Sequence, residues 1–296
     1  MILLTDVGPR DGLQNEKGSV PTATKLALIE QLADAGFQRI EAGSFVSPKW
    51  VPAMADTCEI FQKLKRKPGV QYIALVPNLK GMDDALACQV TDIAVFTAAS
   101  ETFTKKNINM TIDESLDAIR QVVDSAKQKE MWVRGYVSTC FGCPYEGKVD
   151  PKKVVEVAKK LHAMDIDEIS IGDTIGVGTP NQVTDLVQLL SKEIPLAEIA
   201  LHFHDTRGTA LANVLAGIQA GVTKFDSSAG GLGGCPYAPG ASGNLATEDL
   251  LYMLQGMGIE TGVDLQKVVQ ASQTIAKALN RVLPSRYLQS LKNCES

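Results

Sequence analysis

The chain has 296 residues, of which 45% are hydrophobic and 21% charged, and this composition excludes a disordered chain or a collagen-like repeat. Its net charge of −5 disfavours nucleic acid as a partner, because phosphate binding needs a basic face. No apolar run approaches the roughly 18 residues of a transmembrane helix, so we predict no membrane span.

Short apolar, β-branched segments alternate with longer amphipathic segments along the whole chain. The short segments predict eight β-strands at residues 2–7, 39–43, 71–76, 92–97, 132–138, 168–172, 198–204 and 224–228. The longer segments predict helices at residues 22–35, 114–129, 151–164 and 181–192, and two more follow the last strand at 263–279 and 285–292. Pro151 and Pro180 suit first helical turns, and Gly36 and Gly221 suit helix C-caps.

Eight strands that alternate with helices predict parallel βα units closed into a (β/α)8 TIM barrel. We expect one domain over residues 1–296, with roughly 260–296 forming a C-terminal helical extension. The alternative is a doubly wound open sheet, which should carry a G-x-G-x-x-G turn after its first strand. Residues 8–12 read GPRDG instead and do not match that turn.

The first seven residues predict a strand and lack the basic and small-residue features of a signal peptide. The six cysteines are therefore expected to be free thiols in a reducing compartment, and we predict a cytoplasmic protein.

The chemistry of a TIM barrel lies at the carboxyl ends of its strands. The polar residues at the predicted strand ends and in the loop after the last strand are Arg10, Asp11, Glu41, Asp173, His202, His204, Cys235 and Asn244. The fold would bring these distant parts of the sequence to one mouth.

His202 and His204 indicate a metal site. Side chains two apart on a strand share one face, so the two imidazoles project together, and they are two of only three histidines in the chain. The alternative is a pair of buried histidines bonded to backbone. With Asp11, and with the Asn244 amide oxygen as a further donor, the set has nitrogen and oxygen ligands but no thiolate, which favours Mg2+ or Mn2+.

A loop with six glycines follows the last predicted strand at residues 230–244 and contains Cys235. Such a loop at an active mouth can close over a substrate and exclude water. The alternative is an ordinary surface turn, and the residues alone leave the catalytic role of Cys235 open.

Three motifs and the Cys235 loop together resemble the 3-hydroxy-3-methylglutaryl-CoA lyases, within a wider group of metal-dependent Claisen and aldol barrels. The motifs are GPRDGLQNE at 8–16, EAGSFVSP at 41–48 and LHFHDT at 201–206. The resemblance extends over nearly the whole chain, into residues 262–281.

The resemblance implies metal ligands at Asp11, His202, His204 and Asn244. It implies that Arg10 is the catalytic cation, that a residue of the mobile loop, Cys235, is needed for turnover, and that two carboxylates give polar support, Glu41 and Asp173. Lys17, expected to bind substrate with Arg10, and Glu248 occupy family-typical positions. The implied reaction is the cleavage of 3-hydroxy-3-methylglutaryl-CoA to acetyl-CoA and acetoacetate, in leucine breakdown and ketone-body formation, commonly by a homodimer.

The expected mechanism is a retro-Claisen cleavage in which Asp11 or His202 removes the substrate hydroxyl proton. Arg10 then stabilises the thioester enolate, which Cys235 protonates. Three alternatives stay open: a lyase for a longer-chain 3-hydroxyglutaryl-CoA, a synthase that condenses acetyl-CoA with a 2-oxoacid, and a barrel that binds its ligand without turnover.

Overall fold

Eight parallel β-strands close into a barrel in the computed structural model, which describes residues 1–16, 20–234 and 243–292. The strands are β1 (Leu3–Asp6), β2 (Arg39–Ser44), β3 (Gln71–Leu75), β4 (Asp92–Ala98), β5 (Trp132–Ser138), β6 (Glu168–Asp173), β7 (Ile199–Phe203) and β8 (Lys224–Ser227). Each strand pairs in parallel with the next, and β8 pairs with β1. The predicted TIM barrel is confirmed, with every strand boundary within one residue of its predicted position.

Helices follow the strands around the outside of the barrel. They are α1 (Thr22–Asp34), α2 (Thr57–Lys63), α3 (Leu79–Ala87), α4 (Glu101–Ile108), α5 (Ile112–Lys127), α6 (Pro151–His162), α7 (Pro180–Leu190), α8 (Ala210–Gln219), α9 (Thr247–Gly256), α10 (Leu265–Leu279) and α11 (Arg286–Lys292). The predicted C-terminal helices are present as α10 and α11, and α10 packs against α1. Among the described residues, no helix has the length and apolar character needed to cross a bilayer.

Local sequence explains where several helices begin and end. Pro151 and Pro180 each stand at the first turn of their helices, where a missing amide proton has no cost. Gly36 and Gly221 follow α1 and α8 with φ of 104° and 94°, the left-handed conformation that a C-cap glycine adopts without strain.

The barrel separates an apolar outer layer from an interior that combines a small apolar cluster with charged side chains. The helices cover one large apolar cluster, to which strand residues such as Ile169, Leu201 and Phe225 contribute. The interior of the barrel contains charged side chains that are almost completely buried, and Arg134 of β5 lies in register with Glu168 of β6. Because buried charges need partners, this interior is organised by ion pairs.

The expectation of free thiols is wrong for Cys58 and Cys88, which form a disulfide with a Cα–Cα distance of 5.3 Å. Cys58 lies in α2 and Cys88 directly follows α3, so the barrel brings together two cysteines that are 30 residues apart in sequence. Sequence alone does not reveal that distance. Cys140 and Cys143 are free and buried.

Candidate metal centre and active site

A short π-helical turn, Gly8–Gly12, follows β1 and places Arg10 and Asp11 at the barrel mouth. The turn is anchored because the Gly8 amide donates to Asp6 Oδ1 at 2.9 Å. Gly12 packs so closely on the loop after β8 that a Cβ there would lie 2.7 Å from Leu232 Cβ. The GPRDG segment is therefore adapted to present two charged side chains from a tightly packed turn.

His202 and His204 come from the end of β7, and their rings lie 5.2 Å apart between centroids. Together with Asp11 they form a cluster in which one ligand atom of each residue lies within 4.8 Å of the others. Within this cluster, His204 Nε2 lies 4.0 Å from Asp11 Oδ2. The arrangement has the donor atoms and the size of a site for a single metal ion.

Asn244 completes the cluster from the loop after β8. Its backbone forms an antiparallel bridge with His204, and its Nδ2 donates to Asp11 Oδ2 at 2.8 Å. Within the described part of the chain, buried Asn244 Oδ1 and His204 Nδ1 have no hydrogen-bond partner. A buried lone pair without a partner lowers the stability of the fold, and a bound metal cation can serve as that partner. The four predicted ligands therefore lie together and fit a divalent ion.

The charge state of the cluster also suits a cation. Burial alone would raise the pKa of Asp11, but the Arg10 guanidinium and the two imidazoles lower it to about 2. Burial and the neighbouring His202 lower the pKa of His204 to about 4. At neutral pH the cluster therefore offers an ionised carboxylate and a neutral imidazole, which are the forms that bind metal.

Arg10 is held between two carboxylates. Its Nη1 lies 2.7 Å from Asp11 Oδ1, and its Nη2 lies 2.7 Å from Glu41 Oε2. A β-bulge in β2 between Glu41 and Gly43 adjusts the end of that strand, and Tyr136 donates its hydroxyl to Glu41 Oε2 at 3.2 Å. The predicted supporting role of Glu41 is consistent with these contacts, because they orient the guanidinium toward the mouth.

The Asp173 side chain organises a loop and does not contact Arg10. Its two carboxylate oxygens accept the backbone amides of Val177 and Gly178, at 3.0 and 2.8 Å. Its carbonyl accepts the His204 amide at 3.3 Å. Asp173 thus supports the site through the backbone of the loop after β6.

Glu248 contacts the first residue of the glycine-rich segment. Its carboxyl group accepts the Gly230 amide at 2.8 and 3.0 Å and receives a short hydrogen bond from the Ser272 hydroxyl. Burial raises its pKa from 4.5 to about 8. Glu248 therefore anchors the start of the loop, and its place in the family motif has a structural explanation. Lys17 and Cys235, two of the predicted site residues, lie outside the described residues.

Sequence reasoning missed three residues inside the barrel, namely Tyr136, Arg134 and Asp226. Asp226 Oδ2 lies 3.1 Å from His202 Nδ1, and Arg134 Nη2 lies 2.6 Å from Asp226 Oδ1. Burial alone would raise the pKa of Asp226, but Arg134 and His202 lower it below its ordinary value. For two of these residues the sequence did contain a signal. Arg134 and Tyr136 are two apart in β5, so strand alternation predicts that they share one face.

A parallel barrel with an aspartate, two histidines and an asparagine at its mouth has the architecture of a metal-dependent TIM-barrel enzyme. The HMGL-like family model matches residues 1–275, and the chain belongs to the HMGL-like family.

Curated relatives match over almost the full chain. The mitochondrial hydroxymethylglutaryl-CoA lyase of Bos taurus is 55% identical over 289 residues, which cover 98% of this chain and 89% of that protein. The cytoplasmic 3-hydroxy-3-methylglutaryl-CoA lyase of Mus musculus is 53% identical over 292 residues, which cover 99% of this chain and 85% of that protein.

Solved structures match equally well. The hydroxymethylglutaryl-CoA lyase of Pseudomonas aeruginosa superposes with a TM-score of 0.97 and 50% identity, covering 99% of this chain and 97% of that one. An HMG-CoA lyase from Acinetobacter baumannii, in complex with coenzyme A and 3-methylmalate, gives a TM-score of 0.93 and 40% identity. That match covers 98% of this chain and 94% of the other.

Proposed function

We propose that this protein is a carbon–carbon lyase that cleaves 3-hydroxy-3-methylglutaryl-CoA to acetyl-CoA and acetoacetate with a divalent metal ion. The observation that carries the proposal is the Asp11, His202 and His204 cluster beside Arg10, found in a member of the HMGL-like family. The acyl-CoA substrate follows from the lyase relatives and from the coenzyme A complex of one of them.

The residues that would hold the ion are Asp11, His202, His204 and Asn244. Their oxygen and nitrogen donors, without thiolate, favour Mg2+ or Mn2+. When bound, such an ion supplies Lewis acidity that makes the hydroxyl of the substrate easier to deprotonate. The buried Asn244 Oδ1, which has no hydrogen-bond partner among the described residues, supports this assignment.

The side chains of the mouth would carry the proton and charge transfers. Of the two predicted bases, Asp11 would accept the proton of the tertiary hydroxyl, because His202 Nδ1 faces Asp226 and its Nε2 would bind the ion. The bond between the hydroxyl-bearing carbon and the carbon next to the thioester then breaks. The first carbon becomes the ketone of acetoacetate, and the electron pair of the broken bond forms a thioester enolate. Arg10, fixed by Glu41, stabilises the negative charge of this enolate. Cys235 donates the proton that completes acetyl-CoA, and Lys17 binds the substrate together with Arg10.

Purified protein incubated with 3-hydroxy-3-methylglutaryl-CoA and Mg2+ should form acetoacetate and acetyl-CoA in equal amounts. A panel of longer-chain 3-hydroxyglutaryl-CoA esters tests the nearest alternative, since a faster reaction with one of them would replace the substrate assignment. Thiol release from acetyl-CoA and a 2-oxoacid would instead identify a condensing synthase. Failure of every one of these reactions would contradict an enzymatic role.

We further propose a single domain over residues 1–296, a homodimer and a cytoplasmic location. The packing of α10 on α1 supports the single domain, because it joins the C-terminal helices to the first unit of the barrel. Sedimentation of the purified protein tests the dimer. Disulfides are rare in the cytosol, so the redox state of Cys58 and Cys88 in cells tests the location. Reduced thiols would support a cytoplasmic protein, and a disulfide would contradict it.

A further inference from the structure

The orientation of the His202 ring is set from inside the barrel. His202 Nδ1 lies 3.1 Å from Asp226 Oδ2, and a carboxylate that accepts a hydrogen bond there requires a proton on Nδ1. The neutral ring then carries its lone pair on Nε2, which is the nitrogen left for the metal cluster. One carboxylate below the site therefore determines both the tautomer and the direction of the ligand atom.

Asp226 is itself fixed by two further strands. Arg134 of β5 places Nη2 2.6 Å from Asp226 Oδ1, and Ser170 of β6 donates to Asp226 Oδ2 at 3.2 Å. The relative exposure of Arg134 and Ser170 is 0%, and that of Asp226 is 2%. Because these buried side chains have no room to rearrange, Asp226 keeps one position and the His202 ring keeps one orientation.

We propose that Asp226 is a positioning residue for the metal centre, with Arg134 fixing Asp226 so that His202 presents Nε2 to the ion. The inference rests on the metal site of the proposed function and adds to it the residues that prepare one ligand. Carboxylates that orient ligating histidines typically change metal affinity by about 10–100-fold when they are removed.

A competing explanation is that Asp226 only balances the charge of Arg134. The barrel contains a matched carboxylate for separating the two explanations, because Glu168 Oε1 lies 3.4 Å from Arg134 Nε. Glu168 also pairs with Lys224 and Arg39, but it makes no hydrogen bond to either histidine in the described part of the chain. Asp226 and Glu168 therefore share Arg134 as a partner and differ in their contact with His202.

The experiment measures binding of Mn2+ alone, without substrate, by the electron paramagnetic resonance signal of the free ion. We expect Asp226→Asn to weaken Mn2+ binding by about 10–100-fold, while Glu168→Gln keeps the wild-type affinity. Excess Mn2+ should restore the turnover of Asp226→Asn toward the wild-type value, which a purely structural defect would not allow. Equal affinity in Asp226→Asn and wild type, or an equal loss in both variants, overturns the proposal.

A double variant, Asp226→Asn with Arg134→Met, covers the case in which the single variant fails to fold. It removes the buried guanidinium that would otherwise lose a partner, so charge balance improves while His202 still lacks its carboxylate. Weak Mn2+ binding in the folded double variant supports positioning, and wild-type binding overturns it. The substrate assignment is tested separately, since the wild type could bind Mn2+ through a positioned His202 and still fail to cleave 3-hydroxy-3-methylglutaryl-CoA.

Discussion

The two ends of the barrel carry opposite balances of buried charge. At the carboxyl end, the guanidinium of Arg10 is shared between the carboxylates of Asp11 and Glu41. At the amino end, the single carboxylate of Glu168 is shared among three cations, with separations of 2.5 Å to Arg39, 2.7 Å to Lys224 and 3.4 Å to Arg134.

The carboxyl end is a site that can take an additional cation, whereas the amino end already contains the cations that its carboxylate needs. The carboxyl end has one more negative than positive charge among Arg10, Asp11 and Glu41, and its buried Asn244 Oδ1 has no hydrogen-bond partner in the described part of the chain. Even with Arg134 counted as the partner of Asp226, the two cations Arg39 and Lys224 surround Glu168 at the amino end. In the described part of the chain, the cluster of residues that could hold a metal ion lies at the other end. In TIM barrels the carboxyl end of the strands typically serves catalysis, and the amino end serves stability.

Removal of the metal should have the largest effect. We expect a chelator to abolish acetoacetate formation while the protein stays folded, because the metal ion is needed for the reaction and not for the barrel. Added Mg2+ or Mn2+ should restore turnover. Circular dichroism in the chelator serves as the control, and full activity in the chelator would contradict a metal-dependent site.

Loss of the guanidinium at the same end should come next. We expect Arg10→Met to fold and to bind Mn2+ but to lose about 10²–10³-fold in kcat, since a fixed charge that stabilises an enolate typically contributes this much. Arg66→Met is a suitable control, because Arg66 is exposed and donates to the Gln89 carbonyl away from the mouth. Near-normal kcat in Arg10→Met would remove Arg10 from the mechanism.

Much of the carboxyl end could be predicted from sequence because the signals there are local. The eight strands follow from β-branched segments, and the period of two along β7 predicts that His202 and His204 share a face. The barrel rule then places Asp11 and Asn244 at the same mouth as the histidines. These inferences need only strand identity and the direction of each strand.

The interior below the site could not be predicted in the same way. Asp226 meets Arg134 across the barrel although 92 residues separate them, and no local pattern encodes that distance. The same limit explains the disulfide between Cys58 and Cys88, which depends on how neighbouring helices pack. The sequence shows that Asp173 stands at the end of a strand. Only the structure shows that its carboxylate accepts hydrogen bonds from the amides of the following loop.

The amino end should respond to substitution in stability rather than turnover. We expect Glu168→Gln to lower the free energy of unfolding by about 3–5 kcal/mol, because breaking a buried ion pair leaves uncompensated charge. At a temperature well below its melting point, the variant should keep kcat close to the wild-type value. Thermal unfolding and steady-state kinetics together check this, and a large loss of kcat in a stable variant would contradict the division between the two ends.

Glu248 should show an effect on stability that depends on pH, and it differs from both groups of charges. The partners of Glu248 among the described residues are the Gly230 amide and the Ser272 hydroxyl, and burial raises its pKa to about 8. Since the unfolded carboxyl ionises above its ordinary pKa of 4.5, the native state binds one more proton between these two values. Stability attributable to this group therefore falls as pH rises through that interval and becomes constant above it.

Glu248→Gln keeps the acceptor for Gly230 and removes the ionisation. We expect its melting temperature to rise relative to wild type by roughly 5 °C as the buffer changes from about pH 5 to about pH 8.5. The exposed Glu59→Gln, which also removes one carboxyl group, should follow the wild-type pH dependence. Parallel curves for Glu248→Gln and wild type would mean that Glu248 is ionised in the native state, and the anchor at the start of the glycine-rich loop would then require a cation.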